Sequence, residues 1–342
     1  MRRRGVLLLQ VLLVLLLSAC SAGSDSEGST EGDPLVVYSG RNENLIGPLL
    51  EQFTESTGIP VTPRYGGSAE LAAALLEEGE ATRAQVFLSQ DAGALGALQA
   101  EGRLAPLAQQ QLDRVPASYR SPAGAWVGVS GRSRVLVYNT DLVQAADLPG
   151  SVLDLTRPEF RGKVAFAPTN ASFQSFVTAL RVLRGEDQAR SFLQGFAANE
   201  PKAYPGNADI VNAVAAGQVP FGLVNHYYLY EKADGTEGGL ASLRAANAYF
   251  TPGDPGALVN VAGVGVLTDK ADERTARFVD FLLGEQAQRY FAQETSEFPL
   301  VAGVPTKQGL PPLADLAGPS IDLSRLDTLQ ETLALLSDVG LT

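Results

Sequence analysis

Cysteine and histidine are almost missing from these 342 residues: Cys20 and His226 are single, as are Trp126 and Met1. A lone cysteine leaves no internal disulfide, so stability must come from a packed core. With one histidine and one cysteine there is no Cys/His zinc motif. A Ser-His-Asp hydrolase would need His226 as its base, and no Gly-x-Ser-x-Gly elbow accompanies it. Nothing marks a catalytic carboxylate pair of the glycosidase kind. A single tryptophan also speaks against the aromatic platforms that bind sugars. Excess positive charge is lacking too. The formal charge is −12, and taking Arg2, Arg3 and Arg4 from the 26 basic residues leaves 23 against 38 acidic ones, a balance of −15. That excludes a basic nucleic-acid surface and fits an anionic membrane surface poorly.

Long apolar runs are limited to one. Residues 6–17 are apolar but for Gln10 and follow Arg2, Arg3 and Arg4. The run is short of the ~20 residues that span a bilayer, so residues 1–19 are expected to be a secretory signal. Leu17-Ser18-Ala19-Cys20 matches the lipobox of bacterial lipoproteins, with Cys20 as the lipidated first residue of the mature chain. Residues 20–34 then form a Ser/Gly/acidic tether. With 45% hydrophobic residues the remainder can build a large core, and its length predicts two lobes.

Val224-Asn225-His226-Tyr227-Tyr228-Leu229-Tyr230 is the most unusual run. Along a strand, neighbouring side chains face opposite ways, so Tyr227 and Tyr228 can meet one ligand only if the strand ends near Asn225 and turns into a helix. Two phenol oxygens at such a turn suit a hard cation, because bound metal can hold a phenol as phenolate. Ferric iron is the common ion that favours such donors. Half-buried packing residues with wet hydroxyls are the alternative. His226 reads as an orienting or surface residue beside them rather than as a ligand.

The rest alternates strand, polar loop and helix. Strands are expected over residues 35–38, 60–65 and 84–88, with helices over 45–57 and 69–78, the latter capped by Ser68. This is the pattern of parallel α/β sheets, whose ligands lie beyond the carboxyl ends of the strands. The loops 39–43, 66–68 and 89–91 are therefore expected to line one crevice. Two strands, 126–129 and 134–138, flank Ser130-Gly131-Arg132-Ser133, where the chain is expected to enter a second lobe. That lobe repeats the scheme with strand 163–167, loop 168–172 and helix 173–183. Residues 35–131 with 260–308 are expected to form lobe 1, and 132–259 with 309–342 lobe 2.

Tyr38-Ser39-Gly40-Arg41, Ser130-Gly131-Arg132-Ser133-Arg134, Ala167-Pro168-Thr169-Asn170, Asn225-His226-Tyr227-Tyr228 and Asp254-Pro255-Gly256-Ala257 together carry a family resemblance. From Leu35 onward the chain resembles the ferric-iron substrate-binding proteins of bacterial ABC importers, the transferrin-like ferric-binding proteins. The resemblance implies an α/β, two-lobed periplasmic binding protein fold (type II), each lobe a mostly parallel sheet flanked by helices, joined by hinge strands. It implies Fe3+ as transported ligand, a synergistic phosphate or carbonate, and a permease and ATPase as partners of a monomer attached to the membrane only by its N-terminal lipid. The family's paired tyrosine ligands fall on Tyr227 and Tyr228, and its anion-binding positions on Asn170, Ala171, Ser172, Asn207 and Asn225. Three ligand positions depart. The family histidine falls on Asn42, the glutamate on Gln90, and the third tyrosine of one branch on Phe173, which cannot coordinate. Candidates for the remaining contacts are Asn42, Glu43, Gln90, Arg41, the anion and water. The rivals are a protein of the same fold for an oxyanion or polyamine, and a hydrolase.

Overall fold

The computed structural model describes residues 32–316 and 318–342. The expected signal and the lipidated Cys20 lie outside the described residues. In chain order the elements are β1 (Leu35–Ser39), α1 (Glu43–Thr57), β2 (Val61–Tyr65), α2 (Ser68–Glu78), β3 (Val86–Ser89), α3 (Ala92–Ala100), α4 (Gln109–Leu112), β4 (Val127–Asn139), β5 (Val164–Phe166), α5 (Ala171–Arg184), α6 (Glu186–Ala198), β6 (Lys202–Ala203), α7 (Asn207–Ala215), β7 (Phe221–Asn225), α8 (Tyr227–Asp234), β8 (Ala245–Ala248), β9 (Val259–Val266), α9 (Glu273–Leu282), α10 (Glu285–Gln293), β10 (Phe298–Pro299) and α11 (Leu329–Asp338). No described helix is long and apolar enough to cross a membrane.

The helices begin where short polar side chains satisfy their first free N–H groups. Asn42 accepts from Asn44 N–H at α1, Asp91 from Ala94 N–H at α3, and Asn170 from Ser172 N–H at α5. The α1 helix buries Ile46, Leu49, Leu50 and Phe53 at helical spacing and stops at Gly58, whose φ of 74° suits glycine. In α3, a Cβ on Gly93 would stand 2.4 Å from Leu326 O, and one on Gly96 2.1 Å from Ser324 O. Glycine there lets the segment Leu323–Asp327 lie directly on the helix.

One sheet, ordered β2-β1-β3-β9-β4-β7-β5-β6, runs through the molecule, with β8 and β10 added beside β4. β1, β2 and β3 are parallel, as are β5, β6 and β7. The antiparallel strands β4 and β9 join the two halves: residues 127–133 of β4 pair with β9, and from Arg134 onward β4 pairs with β7. Residues 130–133 are thus not the interruption their polarity predicts. They are buried inside one continuous strand, and Ser130 and Arg132 find their partner in Glu297. Ser68 also differs from expectation. It is the first residue of α2, and its Oγ accepts from Gln90 N–H at 2.9 Å.

Phe53, Phe87, Trp126, Phe278 and Phe291 are buried in and around the first half, and Phe166, Phe173, Phe176 and Phe196 in the second. The last part of the chain touches both, with Leu323 and Leu326 in the first core and Leu335, Leu336 and Leu341 in the second.

Candidate metal centre

The buried strand β7 ends at Asn225, and the helical dihedrals of His226 start the turn into α8. The first turn of α8 therefore carries both Tyr227 and Tyr228, whose rings stack at 4.3 Å between centroids and 28°. The turn is held from three sides. His226 Nδ1 accepts from Ser133 N–H at 3.2 Å, which puts the ring proton on Nε2, and Nε2–H donates to Ser296 O at 2.9 Å. The imidazole stacks on Phe298 at 4.4 Å, and Asn247 Nδ2 donates to His226 O at 2.9 Å. Burial pushes His226 down to about 4, despite the bond to Ser296. It is a fixed neutral anchor behind the tyrosines. Burial also pushes the Tyr227 phenol well above its usual range, and neighbouring Tyr228 adds to this. Without a cation the phenol stays protonated; with one, phenolate becomes the favoured form.

Beside the phenols, Asn170 Oδ1 accepts from Ser172 Oγ at 2.6 Å and from Asn207 Nδ2 at 3.1 Å. Ser172 Oγ in turn accepts from Arg134 Nη1 at 2.9 Å and Asn207 Nδ2 at 3.1 Å. Arg134 is 2% exposed and forms no ion pair among the described residues. Its Nη2 donates to Leu223 O at 3.0 Å, while its Nε has no partner. Burial pushes this guanidinium down to about 9, and ionised phenols at Tyr228 and Tyr227 would raise it again. An arginine so enclosed without a carboxylate is a cationic group prepared for an anion.

The first half of the molecule supplies the opposite wall. Arg132 Nη2 donates to Gln90 O, and Arg132 Nε lies 3.6 Å from Glu297 Oε1. Glu297 also takes both Arg41 terminal nitrogens at 2.8 Å. Burial alone would raise the Glu297 carboxyl, but Arg41 outweighs it and holds the group below the usual range. Asp91 shows the opposite balance, its burial outweighing the Ala94 and Gly93 N–H groups and raising the carboxyl.

These walls enclose a cavity of about 150 Å³ lined by Gln90, Asp91, Arg132, Arg134, Asn170, Ala171, Ser172, Ser175, Asn225, Tyr227, Tyr228, Leu258 and Asn260. Seven residues singled out in the sequence thus meet at one place. Asn207 stands just behind, bonded to Asn170 and Ser172. Asn42 and Glu43 are exposed at the start of α1, outside the lining, and Arg41 is engaged by Glu297. Phe173 is wholly buried in the second core, with the Arg134 guanidinium 5.7 Å from its ring centre. Sequence reasoning placed Asp91 in a crevice loop and Arg132 and Arg134 in a family motif, but assigned no part in binding to these three or to Glu297. The signal available for the arginines was their i, i+2 spacing on a strand, which puts both on one face. Among the described residues no group of three or more His, Cys, Asp or Glu gathers to hold a metal.

Two α/β halves joined by antiparallel strands, with phenols and a guanidinium without a carboxylate partner among the described residues between them, define a two-lobed extracytoplasmic solute-binding protein. The chain belongs to the bacterial extracellular solute-binding protein family, whose profile matches residues 82–321. It is 35% identical over 331 residues to the Fe(3+)-binding periplasmic protein of Serratia marcescens, covering 96% of this chain and 97% of that one. It is 30% identical over 312 residues to the major ferric iron-binding protein of Neisseria gonorrhoeae, covering 90% and 93%. Among solved structures, iron-bound HitA from Pseudomonas aeruginosa superimposes with a TM-score of 0.80 at 31% identity, covering 90% of this chain and 99% of that one. The Trichodesmium protein FutA, in complex with iron and citrate, gives 0.79 at 29% identity, covering 91% and 100%.

Proposed function

We propose that this protein captures ferric iron together with an oxyanion in the cavity between its lobes and passes the metal to an ABC permease and its ATPase. The observation that carries the reading is the stacked Tyr227–Tyr228 pair beside the unpaired Arg134 guanidinium. Hard, multiply charged ferric iron favours phenolate oxygen. The guanidinium beside it attracts a second, anionic partner that fills coordination positions the protein leaves open. Asn170, Ala171, Ser172 and Asn225 line the anion's side of the cavity, with Asn207 holding Asn170 and Ser172 in place. Relatives named as ferric iron-binding proteins, one of them periplasmic, and solved relatives that are iron-bound or in complex with iron and citrate, support the same cargo and an extracytoplasmic location. The role is transport, not catalysis.

The lobes of the proposal are residues 35–131 with 260–308, and 132–259 with 309–342, with the segment Leu323–Asp327 reaching back onto α3. Lipidation of Cys20 would keep a monomer at the membrane face. Phosphate alone is the competing cargo, favoured by Arg134. Absorbance separates the two. Ferric iron with phosphate or carbonate should produce a visible phenolate-to-iron band, while phosphate alone should produce none. A protein that binds phosphate tightly and stays colourless with ferric iron would establish the anion reading instead.

A further inference from the structure

The phenols and the anion site lie on one side of the cavity, and ferric iron needs hard anionic oxygen from the other side to tie the lobes together. The residue at the family's glutamate position, Gln90, offers only a neutral amide and a carbonyl already taken by Arg132. Glu43 is exposed and outside the cavity, and Glu297 is committed to Arg41 and Arg132. One carboxylate remains. Asp91 is the only acidic residue lining the cavity among the described residues. Its Oδ1 accepts from Ala94 N–H at 3.1 Å, and among the described residues no side chain donates to it and it forms no ion pair. Arg132 acts electrostatically on both Asp91 and Tyr227, so the carboxyl and the phenol share one cationic neighbour.

We propose that Asp91 is the first-lobe ligand of the metal, supplying from the cap of α3 the carboxylate that Gln90 cannot. The proposal rests on the ferric reading above. The bland explanation of Asp91 is that it only caps α3, and one substitution separates the two roles. Asparagine caps a helix about as well as aspartate, so Asp91→Asn keeps the cap and removes the anionic donor. The iron-free variant should therefore unfold at the wild-type temperature.

The test is a ferric titration of the full chain in phosphate, following chelator competition and the visible band, with wild type, Asp91→Asn and Tyr228→Phe in parallel. Loss of a ligand should lower ferric affinity more than about 100-fold, beyond the range typical of outer-shell partners. It should also move the band to longer wavelength, because iron with one fewer anionic donor accepts phenolate charge more readily. Unchanged affinity and band in Asp91→Asn, while Tyr228→Phe weakens both, would overturn the assignment and leave the ferric reading standing. A weakened site whose band does not move would also overturn it, since Asp91 would then act only through its charge. A colourless wild type would instead remove the ferric reading on which the proposal depends.

Discussion

On one side of the cleft, Tyr227 and Tyr228 stand on a turn fixed by His226 and Asn247, and Asn170, Ser172 and Asn207 bond one another beside Arg134. On the other side only Gln90 and Asp91 of the three expected loops reach the cavity, while Asn42 and Glu43 face water. The first wall is organised before any ligand arrives, so little ordering has to be paid for on binding. The second contributes the loop at the start of α3, with Arg132 and Asn260 of the joining strands. The donors that the ferric reading needs are therefore concentrated on the first wall.

Six substitutions, in four steps, break or sharpen this comparison. The largest effect belongs to the phenols: Tyr227→Phe or Tyr228→Phe should weaken the visible band, with one phenolate left to give it, and lower ferric affinity more than about 100-fold, as read by chelator competition on protein whose circular dichroism is unchanged. Next is Arg134→Gln, which removes the enclosed positive charge. Ferric affinity should fall roughly 10–100-fold in phosphate and lose its dependence on added phosphate, as measured by titration with and without the anion. Replacing Asn207 with leucine should weaken anion dependence less, by about tenfold, because it acts through Asn170 and Ser172. At the bottom, Asn42→Ala and Glu43→Gln should change ferric affinity less than about twofold, since exposed groups away from the cavity contribute little.

The anchor of the organised wall has its own signature in pH. His226 is neutral in the folded chain and titrates near 4, against 6.5 for an ordinary histidine. Below 6.5 the unfolded chain binds a proton that the folded one refuses. Its contribution to stability is thus full above about 6.5 and is lost as pH falls towards 4, by roughly 3 kcal/mol. Unfolding midpoints of His226→Gln across that window should show a flatter acid dependence than wild type. For the same reason iron retention should carry no histidine step near 6.5. Metal held by phenolates leaves smoothly as acid returns their protons.

Much of the organised wall was legible because its signals are local. A strand cannot aim two consecutive tyrosines at one ligand, so the turn after Asn225 followed from Tyr227 and Tyr228 themselves. Asn170 lay in the loop expected before a helix, and it caps α5 there. The other wall was hard to read because its decisive contacts are distant in sequence. By its type Arg41 suited a salt bridge or an anion equally, and Glu297 decides for the salt bridge from across 256 positions. Ser130 to Ser133 looked like a break because polar side chains are usually wet, whereas the same carboxylate lets Ser130 and Arg132 lie inside β4. Asp91 was hidden by doing two things at once. A cap residue has a sufficient local explanation, and only the cavity shows that it also lines the same space as Tyr227 and Tyr228.

The central claim is that both stacked phenols become phenolates when the metal binds. Near-ultraviolet difference spectroscopy during ferric titration in phosphate counts them directly, because ionised tyrosine absorbs at longer wavelength than phenol. The account predicts two phenolates formed per ferric ion bound, falling to one in Tyr228→Phe. Iron bound with no phenolate formed would contradict it, and would mean that Tyr227 and Tyr228 only pack against each other.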